Sequence, residues 1–401
     1  MADFNPFDPR LQANPYEVYR ELREEAPVFW SPMLQVWILT RYDDVLAVLK
    51  DHVRYSSDRL RSTNPLVLQL ESARLASGPL GTTPTMLGHD PPEHTRLRGL
   101  VSKAFTPRQI VRIRPRMQDI AEELLDALPE PGMMDIVTDF AVPFPIIVIA
   151  EMLGVPATDR QLFKAWSTAV AAGLAAPFQP QEVVERSVKA SNELADYFRG
   201  QIALRRAEPR DDLLSALCAV REQGDLLSED ELIATCILLL IAGNETTTNL
   251  IGSGMLALLQ HPDERRRLQT DASLIQSGVE EMLRWDPPAQ MTSRIAAEPI
   301  ELRGERFEPG QVILTVMAAA NRDPGQFPDP DRFDVTRHPN RHLSFGQGIH
   351  YCLGAPLAVS EAHVAFGALL RRLNEPEAAF EAPNWGQSFI LRGLKSLPVT
   401  Y

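Results

Sequence analysis

The chain predicts a mainly α-helical protein with small peripheral β-sheets, folded as a single domain over residues 1–401. Three observations carry that expectation. Residues 115–205 repeat apolar positions at helical spacing and contain almost no strand signal. Leu232–Leu259 is the most hydrophobic helical stretch of the protein and looks central. The strand-like stretches are short and scattered near the two ends of the chain. Length alone would favour two or three domains, but no internal repeat, interdomain linker or low-complexity segment is visible.

The elements follow in order. Asn14-Pro15 opens a helix to about Glu25, because proline is pre-set for the first helical position. Strands are expected at Pro27–Trp30 and Val36–Leu39 around a Ser31-Pro32-Met33 turn. A helix follows at Val45–Lys50. Arg59–His89 is rich in Ser, Gly, Pro and Thr and reads as a long loop, a lid whose apolar residues Leu66, Leu68, Leu75, Leu80 and Met86 would cover a pocket. Helices are then expected at Gln118–Leu128, Phe144–Leu153, Asp159–Gly173 and Gln181–Arg206, with Leu174–Pro180 as an apolar link. After Leu232–Leu259 come a helix at Gly278–Trp285 and strands at Ser293–Ile295, Ile300–Leu302 and Val312–Met317. A Pro-rich meander, Asn321–Arg341, leads to a cysteine loop, a helix Ala355–Leu370 and a hairpin-like tail, Trp385–Val399.

Composition excludes several classes. A formal net charge of −13 argues against general nucleic-acid binding. Three cysteines, at 218, 236 and 352, are odd in number and scattered, which fits free thiols in a reducing compartment. The N-terminus lacks the basic and apolar regions of a signal peptide, and no apolar stretch is long enough for a membrane span. The expectation is a cytoplasmic protein with no membrane partner.

Four stretches carry chemistry. Cys352 follows a glycine-punctuated turn, Phe345-Gly-Gln-Gly-Ile-His-Tyr, and precedes an apolar helix. A thiol presented this way is a ligand or a nucleophile; taken alone, it could equally be a buried free cysteine. Ala242-Gly-Asn-Glu-Thr-Thr-Thr248 places an acid, an amide and hydroxyls inside the most apolar helix, where they are costly unless paired or solvated. That is either a place for oxygen or proton chemistry or a polar packing seam. Glu281 and Arg284 are three apart on one helical face and, read blandly, form a surface ion pair. His94 and Arg98 share a helix face, and residues 94–118 carry lysine and arginine with no acid: a solvated basic face or a docking site for an acidic partner.

Together these residues resemble the soluble bacterial cytochromes P-450 over essentially the whole chain. Phe345-Gly-x-Gly-x-His-x-Cys352-Leu-Gly is similar to the family's haem-thiolate loop, Ala242-Gly-x-Glu-Thr246-Thr to its oxygen-binding groove, and Glu281-x-x-Arg284 with Pro330-Asp-Arg332-Phe333 to the pair and meander that brace the loop. His94-x-x-x-Arg98 is similar to the pair that binds a haem propionate. The resemblance implies haem b (iron protoporphyrin IX) held between a distal oxygen-binding helix and a proximal cysteine loop. Cys352 would ligate the iron; His94, Arg98, Arg294 and His350 would meet the propionates; Ala242, Gly243, Phe345 and Gly346 would contact the cofactor. Glu245 and Thr246 would be the catalytic proton-delivering pair. Glu281, Arg284 and Arg332 would form a buried network supporting the loop. One departure stands out: Val359 occupies a position where relatives often carry an arginine facing the redox-partner surface.

The implied activity is a monooxygenase that hydroxylates or epoxidises a hydrophobic small molecule (a terpenoid, steroid, fatty acid or polyketide) with O2. No flavin- or nicotinamide-binding segment is visible, so electrons from NAD(P)H would arrive through ferredoxin reductase and ferredoxin. The pocket is expected from the 60–90 lid, Trp166–Gln181, Leu239–Thr246, Pro288–Thr292 and the Phe389 turn. Two rivals remain open at this point. A peroxygenase of the same fold would replace the acid–alcohol pair, which is intact as Glu245-Thr246. A haem-binding sensor or carrier would have no need of a proton relay.

Overall fold

The computed structural model describes residues 4–75, 79–128, 132–173, 181–221 and 224–401. The expected link at 174–180 lies outside them. The chain divides into two compact units: Met1–Tyr55, Arg114–Phe144 and Thr246–Tyr401 form the first, Ser56–Ile113 and Pro145–Glu245 the second.

The first unit contains the sheets. Helix Pro15–Glu25 begins where expected, its Asn14 side chain accepting from the Tyr16 amide at 3.3 Å. Strand Val28–Ser31 pairs antiparallel with Val36–Leu39, which runs parallel to Val312–Thr315; that strand in turn pairs antiparallel with Thr292–Ala296. Leu39 and Ile313 join Val45, Phe307, Phe327 and Leu343 in one buried cluster. Full burial of each such side chain contributes roughly 1.5–3 kcal/mol. Leu343 sits two residues before Phe345, so this core fixes the start of the cysteine loop. The strand expected to reach Met317 stops at Thr315, and Met317–Ala320 is a helical turn, in keeping with the strong helix preference of its three alanines. At the other end, Asn384–Trp385 pairs with Leu394–Ser396, but Pro398–Thr400 leaves the expected hairpin to pair with Met133–Asp135 and Glu377–Ala378.

The second unit is helical. Where a long loop was expected, the chain forms helices Pro65–Leu75 and Pro79–Thr82. Asn64 starts the first, its Oδ1 accepting from the Leu66 amide at 2.9 Å, and Leu66 and Leu68 stay exposed. Helices Arg160–Ala172 and Gln181–Ala207 pack on each other through Phe163, Trp166, Tyr197 and Phe198.

Helices Pro107–Asp126, Pro143–Met152 and Glu229–Gln260 contain residues of both units. Pro107–Asp126 continues through Pro115, extending well before the expected start at Gln118. An interior proline costs about 3 kcal/mol, and burial of Met117, Ile120, Ala121 and Leu125 on one face offsets it. The long helix Glu229–Gln260 spans 32 residues. Its start is a reciprocal cap: the Ser228 hydroxyl accepts from the Glu231 amide (3.2 Å) and the Glu231 carboxylate from the Ser228 amide (2.8 Å).

Candidate active site

The cysteine loop is held by its own backbone and by its neighbours. Gly346 and Gly348 adopt φ of 69° and 72°, a region that disfavours a side chain. A Cβ on Gly348 would also lie 2.5 Å from the Leu49 carbonyl oxygen, so only glycine fits there. The turn closes through the Cys352 amide donating to the Phe345 carbonyl at 2.9 Å. Asn321 anchors the entry, accepting from the Leu343 amide (2.7 Å) and donating to Ser344 Oγ (2.9 Å), while that hydroxyl donates to the Leu283 carbonyl (2.7 Å). His342 Nδ1 accepts from the Ser344 amide at 3.3 Å, which leaves Nε2 to donate to Glu280 at 2.9 Å. Cys352 is half-buried and forms no disulfide; Cys236 is fully buried, and burial pushes its thiol far up.

Beneath the loop lies the ion pair that the resemblance placed in a buried network. Glu281 and Arg284 are both completely buried and bonded in a fork, at 2.7 and 2.8 Å. Arg284 also donates to the carbonyls of Asn321, Pro330 and Arg332. Glu281 accepts from the Asp334 amide, Arg337 Nε and Asn340 Nδ2. The network therefore corrects one expectation. Arg332 contributes its carbonyl only; its side chain is exposed, 3.7 Å from Asp334, and the second guanidinium on Glu281 belongs to Arg337.

The polar stretch of the long helix divides by face. Asn244, Thr247 and Thr248 are buried and satisfied: Asn244 Nδ2 donates to Ser167 Oγ (2.9 Å), Thr247 to Glu361 (3.1 Å) and Thr248 to the Ala141 carbonyl (2.9 Å). Between them the helix opens. Ala242 is exposed, and Gly243, Glu245 and Thr246 are half-buried. A Cβ built on Gly243 would meet no heavy atom within 4 Å. Glu245 Oε2 is buried with no hydrogen-bond partner among the described residues, and desolvation raises the carboxyl to about 7. The buried face of this stretch is a polar packing seam, and the more open face carries Glu245 and Thr246.

Glu361, on helix Ala355–Arg372, was not singled out from the sequence. It is completely buried, and burial raises its carboxyl to about 8 although the Thr247 bond favours the ionised form. Because folding favours the protonated group, stability falls as pH rises from the ordinary value near 4.5 to about 8, by on the order of 5 kcal/mol over the window. Denaturation of wild type and Glu361→Gln between pH 5 and 9 is expected to show wild type losing stability relative to the variant as pH rises. A constant difference would mean that Glu361 is hydrated or charge-paired in solution.

The cationic residues divide between the units. In the second, His94 is buried on helix Glu93–Ala104 and Arg98 half-buried one turn on. Arg96, on another side of that helix, is held by Glu93, Asp225 and Glu231. In the first, Arg294 is buried on Thr292–Ala296, donating to its neighbouring Ser293 carbonyl at 2.8 Å, and His350 ends the turn Gly348–His350. The basic run expected to dock a partner is partly neutralised from within: besides Arg96, Arg112 pairs with Asp211 and Arg116 with Glu123.

These features fit a haem. In the first unit a thiol follows a glycine turn and Arg294 is a buried cation; in the second a carboxyl adjoins an open helix face and Arg98 is a half-buried cation, groups of the kinds that a haem iron, its oxygen chemistry and its propionates take. Comparison with known proteins agrees. A family model described as Cytochrome P450 matches residues 5–376. A vitamin D(3) 25-hydroxylase of Pseudonocardia autotrophica is 44% identical, covering 96% of this chain and 94% of that protein. A 6-deoxyerythronolide B hydroxylase of Saccharopolyspora erythraea is 41% identical over 96% and 95%. The solved structure of the bacillaene polyketide synthase cytochrome P450 PksS of Bacillus subtilis matches with a TM-score of 0.90 at 40% identity, covering 99% of each chain. The chain belongs to the cytochrome P450 family of haem-iron monooxygenases. Its mainly helical fold with small sheets is the one expected. No described helix is long and apolar enough to cross a membrane.

Proposed function

We propose that this protein is a cytoplasmic monooxygenase that hydroxylates or epoxidises a hydrophobic small molecule, with haem b held by Cys352. His94, Arg98, Arg294 and His350 would meet the propionates, with Ala242, Gly243, Phe345 and Gly346 against the ring. The bound haem would supply the oxygen activation that a side chain cannot. The chain's own part is proton delivery. The observation that carries this reading is Glu245: a half-buried carboxyl whose buried Oε2 has no hydrogen-bond partner among the described residues, poised near neutrality, with Thr246 as the next residue. Near pH 7 such a group both takes and gives a proton, and the Thr246 hydroxyl can hold and pass one on. The relatives named as hydroxylases of vitamin D(3) and 6-deoxyerythronolide B favour a steroid- or polyketide-sized substrate. A library of such compounds, screened for a low- to high-spin shift and then for product with NADH, a surrogate ferredoxin and its reductase, tests the class. Turnover driven by hydrogen peroxide alone, with none from O2 and NADH, would instead favour a peroxygenase.

Electrons are proposed to come from NAD(P)H through a ferredoxin reductase and an acidic ferredoxin. Of the basic run, Lys103, Arg108 and Arg114 are exposed, and Arg112 is exposed although paired with Asp211. Arg112→Glu is expected to slow reduction by the ferredoxin several-fold at low salt, with the difference shrinking as salt screens exposed charges. A rate insensitive to both changes would place docking elsewhere.

A further inference from the structure

Asn244 was singled out in the sequence only as part of the polar stretch, and proton delivery does not use it. Its environment assigns it a task. Asn244 and Ser167 are both buried, at 7% and 0% exposure, and their side chains meet at 2.9 Å. Ser167 lies on helix Arg160–Ala172, next to Trp166. That helix and Gln181–Ala207 are bound tightly to each other. Trp166 Nε1 donates to Glu193 at 2.7 Å, the Tyr197 hydroxyl to Asp159 at 2.7 Å, and Phe163 packs edge-on against both Tyr197 and Phe198. Ser187 adds a bond to the Val170 carbonyl. The pair therefore moves as one body, and Asn244 ties it to the long helix one residue before Glu245.

The geometry points to the Asn244–Ser167 hydrogen bond as a latch through which the position of the paired helices Arg160–Ala172 and Gln181–Ala207 sets the environment of Glu245. Asn244 is in this sense a positioning residue. A ligand or motion that displaces the helix pair must break a buried amide–hydroxyl bond or drag the Ala242–Glu245 segment with it, because a buried amide left without its partner is strongly disfavoured. Either route changes the hydration of the neighbouring carboxyl, and so its readiness to hold a proton. The coupling is reciprocal: whatever fixes Glu245 also resists displacement of the pair. The consequence for proton transfer rests on Glu245 being the proton-delivering acid; the mechanical link does not.

The test uses haem-loaded Ser167→Ala, Asn244→Leu and the double variant, with a wild-type carbon monoxide spectrum as the check on folding. The first readout is backbone hydrogen exchange. Each single variant is expected to raise exchange about fivefold, the scale of one lost buried hydrogen bond, both in 163–170 and in 242–247, with 355–372 unchanged. The double variant is expected to exceed neither single one, since both remove the same bond and the double leaves no stranded partner. The second readout is the pH midpoint of NADH oxidation driven through a surrogate ferredoxin and its reductase. It is expected to move to lower pH as Glu245 gains water. Additive effects in the double variant, or exchange rising in only one of the two segments, would overturn the latch. Coupled exchange with an unmoved midpoint would uphold the latch and count instead against Glu245 as the proton donor. A single variant that fails the folding check is replaced by the other, since each removes one end of the same bond.

Discussion

Arg284→Leu is expected to leave almost no folded, haem-loaded protein. The guanidinium is completely buried, shares two hydrogen bonds with the equally buried Glu281, and donates to three carbonyls of the meander. Leucine removes the two-bonded partner of Glu281, leaving Arg337 as its cation among the described residues, and strands those carbonyls. Breaking a buried pair from one side costs about 3–5 kcal/mol, against a total stability of about 5–15 kcal/mol for typical domains. The damage also falls on a critical place. Arg284 bonds the Asn321 carbonyl while Asn321 holds the Leu343 amide and Ser344, so losing one arginine loosens the entry to the Cys352 turn. Arg337→Leu should cost less, because Glu281 keeps Arg284 and two further donors. Haem content per protein and the midpoint of chemical denaturation check both variants. If Arg284→Leu kept wild-type values for both, the network would not support the loop.

Thr246→Ala is expected to separate oxygen consumption from product formation. NADH oxidation should continue while product per NADH collapses and peroxide appears, because the hydroxyl that would pass a proton is gone. Glu245→Gln should slow turnover itself, by about 10²–10⁴-fold for loss of a positioned acid–base group. Its pH dependence follows from burial. The carboxyl is raised from 4.5 to about 7, so below that value it holds a proton to give, and above it the ionised form accumulates. Wild-type turnover should therefore fall as pH rises through about 7, and Glu245→Gln should be flat across the same range. Unchanged coupling in Thr246→Ala would remove that residue from the mechanism. A pH profile shared by wild type and Glu245→Gln would assign the titration to another group.

Legibility depended on whether a residue's task was local. The Asn14-Pro15 helix start, the glycines of the cysteine turn and the periodic helices between 143 and 207 are set by neighbours in sequence, and they stand where expected. The loop read at 59–89 missed an equally local signal, Asn64-Pro65, because the Ser, Gly and Pro around it dominated. Other features could not be read locally. That Arg337 rather than the side chain of Arg332 meets Glu281 depends on how the meander folds back. The parallel pairing of Val36–Leu39 with Val312–Thr315 joins segments far apart in the chain. Glu361 was legible in principle, as a single acid within the apolar run Ala355–Phe366, but its partner Thr247 comes from a different helix. The division of 242–248 into an open and a buried face likewise needed the surrounding helices.

The central claim is that Cys352 is the thiolate ligand of a haem, and the carbon monoxide difference spectrum of the reduced protein tests it most directly. Haem-loaded wild type should give the band of thiolate-ligated haem. Cys352→Ser should lose that band while Cys218→Ser and Cys236→Ala keep it. A wild-type band typical of a nitrogen-ligated haem, or a thiolate band that survives Cys352→Ser, would contradict the account.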